Sequence, residues 1–485
     1  MEARDNRTVL LINPRATYVH QIAQKCYPPM HLLYLASSLR AAGLEPAVLD
    51  ANAFRMTDQE IEDRLRSLHP VVAGLSVYSE ILPQIRDLTR LVRGSLPGAR
   101  IVLGGPHASA VPGETLEMFP DADYVLRGEA EDTLPQLCQA VLAGADVSGI
   151  PGIVCRRDGL AVEGPPPQLP DIHRLPLPAR DLVQDAYRQG RYYSLMVRHS
   201  PVDTLFTSRG CPFRCGFCYS RPSHYRARAP EAVVDELVRI CERGIRNIEI
   251  CDDTVTAVRD RAHAIFDLII REKLGVSFRI KSRVDVFTDD LARHARQAGV
   301  YLAAFGMESG SQRMLDAMQK KTTVQQNARA CQLCRRYGIL SHSSWIVGYP
   351  GETPDTVAET LDFIRANRPS TVNVGVLRPY PKTLAYEIAA STGALMGRWH
   401  PDEAQLPWVR LPWVRNLGQL HDVVRTMMRR IYFTPHYMAS LAGEALRGAN
   451  VRLARYAVQE ALKVTGLVRR GPGKRARDGG KTPGQ

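Results

Sequence analysis

Short β-branched and leucine-rich runs alternate with amphipathic stretches along most of this sequence, and the alternation happens twice. In the first block the predicted strands are Thr8–Ile12, Pro46–Leu49, Val71–Val77, Arg100–Leu103 and Tyr124–Leu126. Helical spacing falls between them at Met30–Ala42, Asp58–Leu68, Ile81–Val92 and Thr133–Leu142. Strands alternating with helices imply an α/β fold with a parallel, doubly wound, Rossmann-like sheet, because parallel neighbours need a crossover to carry the chain back. Ligands of such sheets sit beyond the carboxyl ends of the strands, where the strand order reverses. Pro14, Gly104-Gly105, His107 and Gly128-Glu129 fall at those ends.

Residues 148–200 are proline-rich, with Pro165-Pro166-Pro167 and Leu175-Pro176-Leu177-Pro178, and read as a linker with a small hairpin around Gly152–Leu160. The second block starts at Asp203. Its predicted strands are Thr204–Thr207, Asn247–Cys251, Ser277–Lys281, Val300–Phe305, Leu340–Val347 and Thr371–Leu377. Six strand–helix units make three quarters of a (β/α)8 barrel, whose chemistry lies at the carboxyl ends of the strands. The expected organisation is a doubly wound domain over 1–147, the linker over 148–200 and a partial (β/α)6 barrel over 201–395. A helical segment over 396–468 and a tail over 469–485 follow. The motif LPWVR occurs at 406–410 and again at 411–415, with no reason visible in the sequence.

The chain has 485 residues and a net charge of +13. The tail from Arg469 to Gln485 holds five of those charges, six basic residues against one acidic. Its Gly/Pro-rich composition points to disorder. No aromatic platform or recognition motif accompanies it, so nucleic acid is not an expected partner. No apolar run approaches the roughly 18 residues that suggest a membrane span. The start, MEARDNRTVLLINP, lacks a signal-like apolar region, and a cytoplasmic location is expected.

In such a compartment clustered cysteines suggest metal chemistry rather than disulfides. Cys211, Cys215 and Cys218 form a C-x3-C-x2-C loop, and no further cysteine occurs before Cys241. Three thiolates can ligate three irons of a 4Fe–4S cubane and leave the fourth iron open to chelate a substrate. The alternative is a structural zinc site with His224 as fourth ligand. Cys331 and Cys334 lie on one helical pattern and read as buried small residues rather than a second cluster. Met427, Met428, Ile431, Tyr432 and Phe433 read as core on helical spacing.

The loop C-x3-C-x2-C with Phe217 before its last cysteine resembles that of the radical S-adenosylmethionine (SAM) superfamily. The resemblance extends through NIEICDD at 247–253, IKSRVD at 280–285, FGMESGS at 305–311 and WIVGYPGET at 345–353. It implies that Cys211, Cys215 and Cys218 bind the cluster and that Phe217 lies against the adenine of SAM. Glu308 and Ser309 would contact its amino-acid or ribose part, and Gly348 would leave room for the adenine. Glu308 can also be read as a rim salt bridge. Arg283 is open between the SAM carboxylate and an ion pair with Asp252 or Asp253.

The first block resembles the cobalamin (B12)-binding domain that precedes this barrel in one subgroup, the class B methyltransferase-like proteins. The matching pieces are Asn13-Pro14, Tyr27-Pro28-Pro29 with Leu33-Tyr34-Leu35-Ala36, Gly104-Gly105-Pro106-His107 and Arg127-Gly128-Glu129-Ala130-Glu131. Implied cobalamin contacts are Pro14, Ser76, Tyr78, Gly104, Gly105, His107, Gly128 and Glu129. The loop Arg15–Gln21 lacks D-x-H-x-x-G around His20, so no histidine is expected on the lower face of cobalt. Tyr78 would approach that face or only pack. His107 would bond corrin side chains or cap a helix.

Taken together the resemblance implies a cobalamin-dependent radical SAM methyltransferase. A 5′-deoxyadenosyl radical would take hydrogen from an unactivated carbon of a small molecule, of secondary-metabolite type, which then receives methyl from methylcobalamin. An external electron donor of flavodoxin or ferredoxin type is implied. The alternatives are cyclisation, ring contraction or oxidation with the same cofactors, and a regulator acting on a partner through the basic tail.

Overall fold

The computed structural model describes residues 7–16, 25–194, 196, 200–219, 224–435, 437 and 439. His20, Met438, residues 440–468 and the basic tail lie outside them. The first sheet has seven strands: β1 (Thr8–Asn13), β2 (Glu45–Asp50), β3 (Val72–Ser76), β4 (Arg100–Gly104), β5 (Tyr124–Leu126), β6 (Ile153–Arg157) and β7 (Leu160–Glu163). They lie in the order β2-β1-β3-β4-β5-β6-β7. The pairings among β1 to β5 are parallel, as expected for buried strands joined by helices. The order reverses between β1 and β3, which makes their carboxyl ends the switch point.

The helices of this half are α1 (Met30–Ala41), α2 (Asp58–Leu68), α3 (Leu82–Ser95) and α4 (Thr133–Ala143). Helix α2 begins where Thr57 accepts from the Glu60 amide at 3.2 Å and the Glu60 carboxylate accepts from the Thr57 amide at 2.7 Å. This reciprocal cap satisfies two amide donors that the helix start leaves over. One finding departs from the sequence reading. The hairpin β6–β7 does not float in a linker; β6 pairs antiparallel with β5, so the first sheet runs on to Glu163.

The second sheet has six parallel strands in sequential order: β8 (Val202–Leu205), β9 (Asn247–Ile250), β10 (Ser277–Ser282), β11 (Val300–Glu308), β12 (Leu340–Val347) and β13 (Thr371–Val376). All five pairings are parallel, as in an open (β/α)6 barrel. Helix α5 (Leu417–Tyr432) closes its far edge. There the Val372 amide donates to the Tyr432 hydroxyl, which donates back to the Val372 carbonyl, both at 2.8 Å. Met427, Met428, Ile431 and Tyr432 are buried as expected, whereas Phe433, one residue past the helix, is 52% exposed.

Helix α1 joins the halves because it is apolar on two faces. Leu32, Ala36 and Leu39 pack on the first sheet. Met30, Leu33 and Tyr34 belong to the barrel core. The proline-rich segment is docked as well. Arg180 reaches Asp203 at the start of β8 at 3.0 Å, and the Tyr187 hydroxyl donates to the same carboxylate at 2.7 Å. Among the described residues no helix is long and apolar enough to cross a membrane.

Candidate functional site

The three clustered cysteines lie on a loop that leaves β8 and is fixed at both ends. At its start the buried Asp252 carboxylate, just past β9, accepts from the Thr207 amide at 2.6 Å and from the Thr207 and Ser208 hydroxyls. Asp252 is thereby spent on Thr207 and Ser208, and burial pushes its carboxyl up. In the middle of the loop the Gly216 amide donates to the Met318 carbonyl at 2.8 Å, and the Ala385 amide donates to the Gly216 carbonyl at 2.9 Å. Cys215 is buried; Cys211 and Cys218 are partly exposed. Among the described residues no group of three or more His, Cys, Asp or Glu side chains is set to hold a metal ion. A single-ion site gathers its ligand atoms on one point, whereas a cubane spreads three thiolates over three irons. His224, the fourth ligand of the zinc alternative, is exposed.

Around this loop the barrel-end residues form a connected set. Arg283, just past β10, places Nη1 3.4 Å from the Cys215 Sγ and its guanidinium 3.8 Å from the Phe213 ring centroid. Its ion-pair partner is neither Asp252 nor Asp253. Nε and Nη2 donate to the two oxygens of Asp285, both at 3.0 Å, two residues along the same turn. Nη2 also donates to the Lys320 carbonyl at 2.8 Å. Glu308 ends β11 at φ +63°, a left-handed conformation that costs a non-glycine residue about 1–3 kcal/mol and tends to mark working sites. A Cβ on Gly306 would strike the Glu308 carboxylate, so only glycine there lets it fold back over the strand. Lys320 Nζ donates to Glu308 Oε1 at 3.1 Å and stands 5.5 Å from the Phe217 ring. The rim salt bridge is therefore present, and it joins Glu308 to Phe217. Oε2 takes no partner from the described side chains. Ser309 turns the other way: its fully buried hydroxyl pairs with Thr360 at 3.1 Å and accepts from the Ser311 amide at 3.1 Å.

Gly348, past β12, has φ +97°, and its amide donates to Glu352. Burial raises the Glu352 carboxyl to about 7. The Trp413 indole, in the second LPWVR copy, donates to the Glu352 carbonyl at 2.8 Å. Trp408, in the first copy, pairs with Met396 in a two-stranded ribbon, so the copies do different work. The Glu352 carboxyl yields a pH prediction. Its folded value exceeds the ordinary 4.5, so the folded state holds a proton that the unfolded state releases between about pH 4.5 and 7. Stability from this group thus falls as pH rises through that window, by roughly 3 kcal/mol at most. Thermal melts of Glu352→Gln should match wild type below pH 4.5 and exceed it above pH 7. A constant difference across both ranges would exclude the titration.

Beyond the carboxyl ends of the first sheet lie two cavities that both halves line. A slot of about 320 Å³ runs between the sheet and α1 and α4. Its lining includes Ser76, Gly104, Gly105, Gly128 and Glu129 on one side, and Arg209, Gly210 and Asp253 on the other. A larger cavity of about 600 Å³ is lined by Tyr78, Gly105, His107 and Gly128 from the first half. Gly210, Tyr219, Asp253, Tyr380 and Lys382 face them from the second. Gly105 belongs to both; it has φ +98°, and a Cβ there would lie 3.1 Å from the Val77 amide and carbonyl. Pro14 is buried at the end of β1 and lines neither cavity. His107 Nδ1 bonds the Ser79 hydroxyl at 2.8 Å, while its buried Nε2 has no hydrogen-bond partner. Burial holds it neutral, with the imidazole lowered to about 4.

Glu129 is committed across the domain boundary. It accepts from Arg209 at 2.6 Å and from Arg226, while Arg209 also donates to Glu131 at 2.6 Å. Arg209 stands two residues before Cys211, so these pairs tie the cysteine loop to the end of β5. The sequence reading singled out Glu129 but missed Arg209, Lys320 and Asp285. The basic residue abutting Gly210-Cys211 and the acidic pair Glu129 and Glu131 were the available signal for the first, and the IKSRVD motif, which ends on Asp285, for the third; Lys320 carried none.

The donor sets suit the implied groups. Three cysteines on one pinned loop beside a guanidinium suit a cluster, a buried carboxylate with an open oxygen suits cationic SAM, and glycine-edged cavities with a partnerless imidazole suit a large polar cofactor.

Comparison with known proteins gives two family matches. Residues 205–364 match the radical SAM superfamily, and residues 19–138 match the B12 binding domain. The chain is 29% identical over 396 residues to an uncharacterized methyltransferase of Pyrococcus horikoshii, covering 80% of this chain and 84% of that protein. It is 29% identical over 366 residues to the anaerobic magnesium-protoporphyrin IX monomethyl ester cyclase of Rubrivivax gelatinosus, covering 73% of this chain and 65% of that one. The fold is similar to that of the radical S-adenosylmethionine methyltransferase TsrM from Kitasatospora setae, solved with cobalamin and a [4Fe–4S] cluster bound. The TM-score is 0.75 at 19% identity, covering 95% of this chain and 100% of that chain.

Proposed function

Because this chain belongs to the radical SAM superfamily and carries a B12 binding domain ahead of the radical SAM domain, we propose that it is a cobalamin-dependent methyltransferase acting on an unactivated carbon of a small molecule. The observation that carries this reading is the 600 Å³ cavity, which faces the cysteine loop at Gly210 and Tyr219 and the B12-domain edge at Tyr78, Gly105 and His107. When bound, the cluster and SAM supply a 5′-deoxyadenosyl radical and cobalamin supplies the methyl group.

The chain's own residues bind, orient and shield. Cys211, Cys215 and Cys218 hold the cluster, and Arg283 donates toward the Cys215 sulfur and fixes the loop through Phe213. Glu308 offers Oε2 to the ammonium of SAM while Lys320 holds Oε1. Phe217 and Gly348 flank the adenine. The substrate sits among Tyr78, Tyr219 and Tyr380. A flavodoxin- or ferredoxin-type protein supplies the electron.

A second reading has support from the cyclase relative: the same cofactors without methyl transfer. The deciding experiment is anaerobic incubation of reduced, reconstituted protein with a metabolite extract and SAM bearing a trideuterated methyl group. Methyl transfer gives S-adenosylhomocysteine, 5′-deoxyadenosine and a labelled metabolite. 5′-Deoxyadenosine without label or S-adenosylhomocysteine favours the second reading. Absence of both nucleosides overturns both.

A further inference from the structure

The 600 Å³ cavity is the middle one of three. It shares Gly105, Gly128, Gly210 and Asp253 with the slot, and His107, Pro381 and Lys382 with an outer cavity of about 500 Å³. Lys382 thus stands at the outer junction. It lies in the turn Tyr380–Thr383, closed where the Thr383 amide donates to the Tyr380 carbonyl at 3.2 Å. Its φ is +63°, at the third position of a turn whose second residue is Pro381. Such a position favours glycine, because a Cβ crowds the left-handed backbone. The left-handed Arg55, His69 and Arg368 each close a helix, and Lys382 closes none. Among the described residues its ammonium has no hydrogen-bond partner and no carboxylate within ion-pair distance. Arg378, two residues before the turn, is a second such cation. Its Nη1 is buried and bonds nothing, and burial lowers the guanidinium from its ordinary value. Glu80, whose charge it feels, accepts from the Tyr380 hydroxyl instead.

We propose that the substrate carries a carboxylate or phosphate group and that Lys382 holds it where the middle and outer cavities meet. Resting on the reading above, this narrows the small molecule to an anionic one. The charges around the junction leave an anion one place to sit. Toward the slot, Asp253 presents a carboxylate that no described side chain neutralises. On the outer side, Glu114 and Glu117 line the cavity from the first half of the chain. Arg398 and His400 line it too, but each has its own carboxylate, Glu403 at 2.9 Å and Asp402 at 3.5 Å. An ammonium between two acidic zones draws a negative group to itself, and the zones repel that group on either side. Stability alone would place glycine at this backbone position, so the lysine is retained for its charge.

The test separates a metabolite extract on an anion exchanger into retained and unretained fractions. Each is given anaerobically to the reduced, reconstituted protein with SAM bearing a trideuterated methyl group. The retained fraction should raise 5′-deoxyadenosine and yield the labelled metabolite, and the unretained fraction should do neither. In dilution series of the retained fraction, Lys382→Gly should need roughly ten- to hundredfold more for half-maximal rate, the worth of one bond to a charged group. Its maximal rate should stay close to wild type, as when ground-state binding alone is lost. Its melting temperature should hold or rise, because glycine relieves the left-handed backbone. Lys382→Arg, which keeps the cation, should recover most of the affinity. Cobalamin has a phosphate of its own, so its uptake is measured on the same variants and should not change. Label from the unretained fraction alone, an unshifted dilution curve for Lys382→Gly, or weakened cobalamin uptake in that variant overturns the proposal. A whole extract that yields neither 5′-deoxyadenosine nor S-adenosylhomocysteine defeats the underlying reading instead.

Discussion

Cys215→Ala is expected to abolish the iron–sulfur absorbance of the reconstituted protein and its formation of 5′-deoxyadenosine, while cobalamin uptake persists. The loop offers three thiolates for three irons, so no ligand is spare. Cys215 is also the cysteine that the structure holds most firmly. It is buried, it adjoins Gly216, which the barrel end pins from both sides, and Arg283 donates toward its sulfur. The loss should exceed about a hundredfold, since removing even the outer partners of metal ligands costs 10–100-fold. Cobalamin uptake should survive because Cys215 lines neither interdomain cavity. A variant that keeps its cluster absorbance would refute the ligand assignment. One that loses both cofactors would show that the two sites are not separate.

The sequence was most legible where a local pattern decides the outcome. Leu340–Val347 and Tyr124–Leu126 are strands at the expected boundaries. Asp58–Leu68 is helical because its cap lies within three residues of its start. Cys331 and Cys334 are fully buried inside a helix, as two small residues one turn apart suggested. Legibility fell where the partner is distant in sequence. The β6–β7 hairpin looked like linker because nothing local says that β5 is an open edge. Arg283 stood open between the SAM carboxylate and an ion pair with Asp252 or Asp253, but Asp252 is held by the Thr207 and Ser208 hydroxyls, 45 and 44 residues away. For Ser309 the resemblance implied a ligand contact, while its position one residue past a left-handed Glu308 turns the hydroxyl toward Thr360.

Arg209→Ala should uncouple the two halves of the molecule. The guanidinium bridges Glu129 and Glu131 at 2.6 Å each and lies 5.0 Å from the Tyr34 ring on α1. After truncation Glu129 keeps Arg226, but Glu131, whose side chain is 6% exposed, is left buried without its cation. Breaking a buried pair in this way costs roughly 3–5 kcal/mol, because the remaining charge is uncompensated. Thermal unfolding should move down, and protease should nick the proline-rich stretch 164–178. Arg209→Lys should recover only part, since one ammonium cannot span two carboxylates as a planar fork does. Adding Glu131→Gln to Arg209→Ala should recover stability, because the buried charge is then gone. The functional consequence follows from position. Arg209 is two residues from Cys211, and Glu129 follows Gly128, which lines both cavities. Iron and cobalamin contents should stay near wild type while methylated product per 5′-deoxyadenosine falls about tenfold or more, as expected when reacting groups are misplaced by an ångström. Strictly additive single and double variants, with an unchanged product ratio, would mean that the ion pairs only decorate the boundary and that α1 alone sets the distance across it.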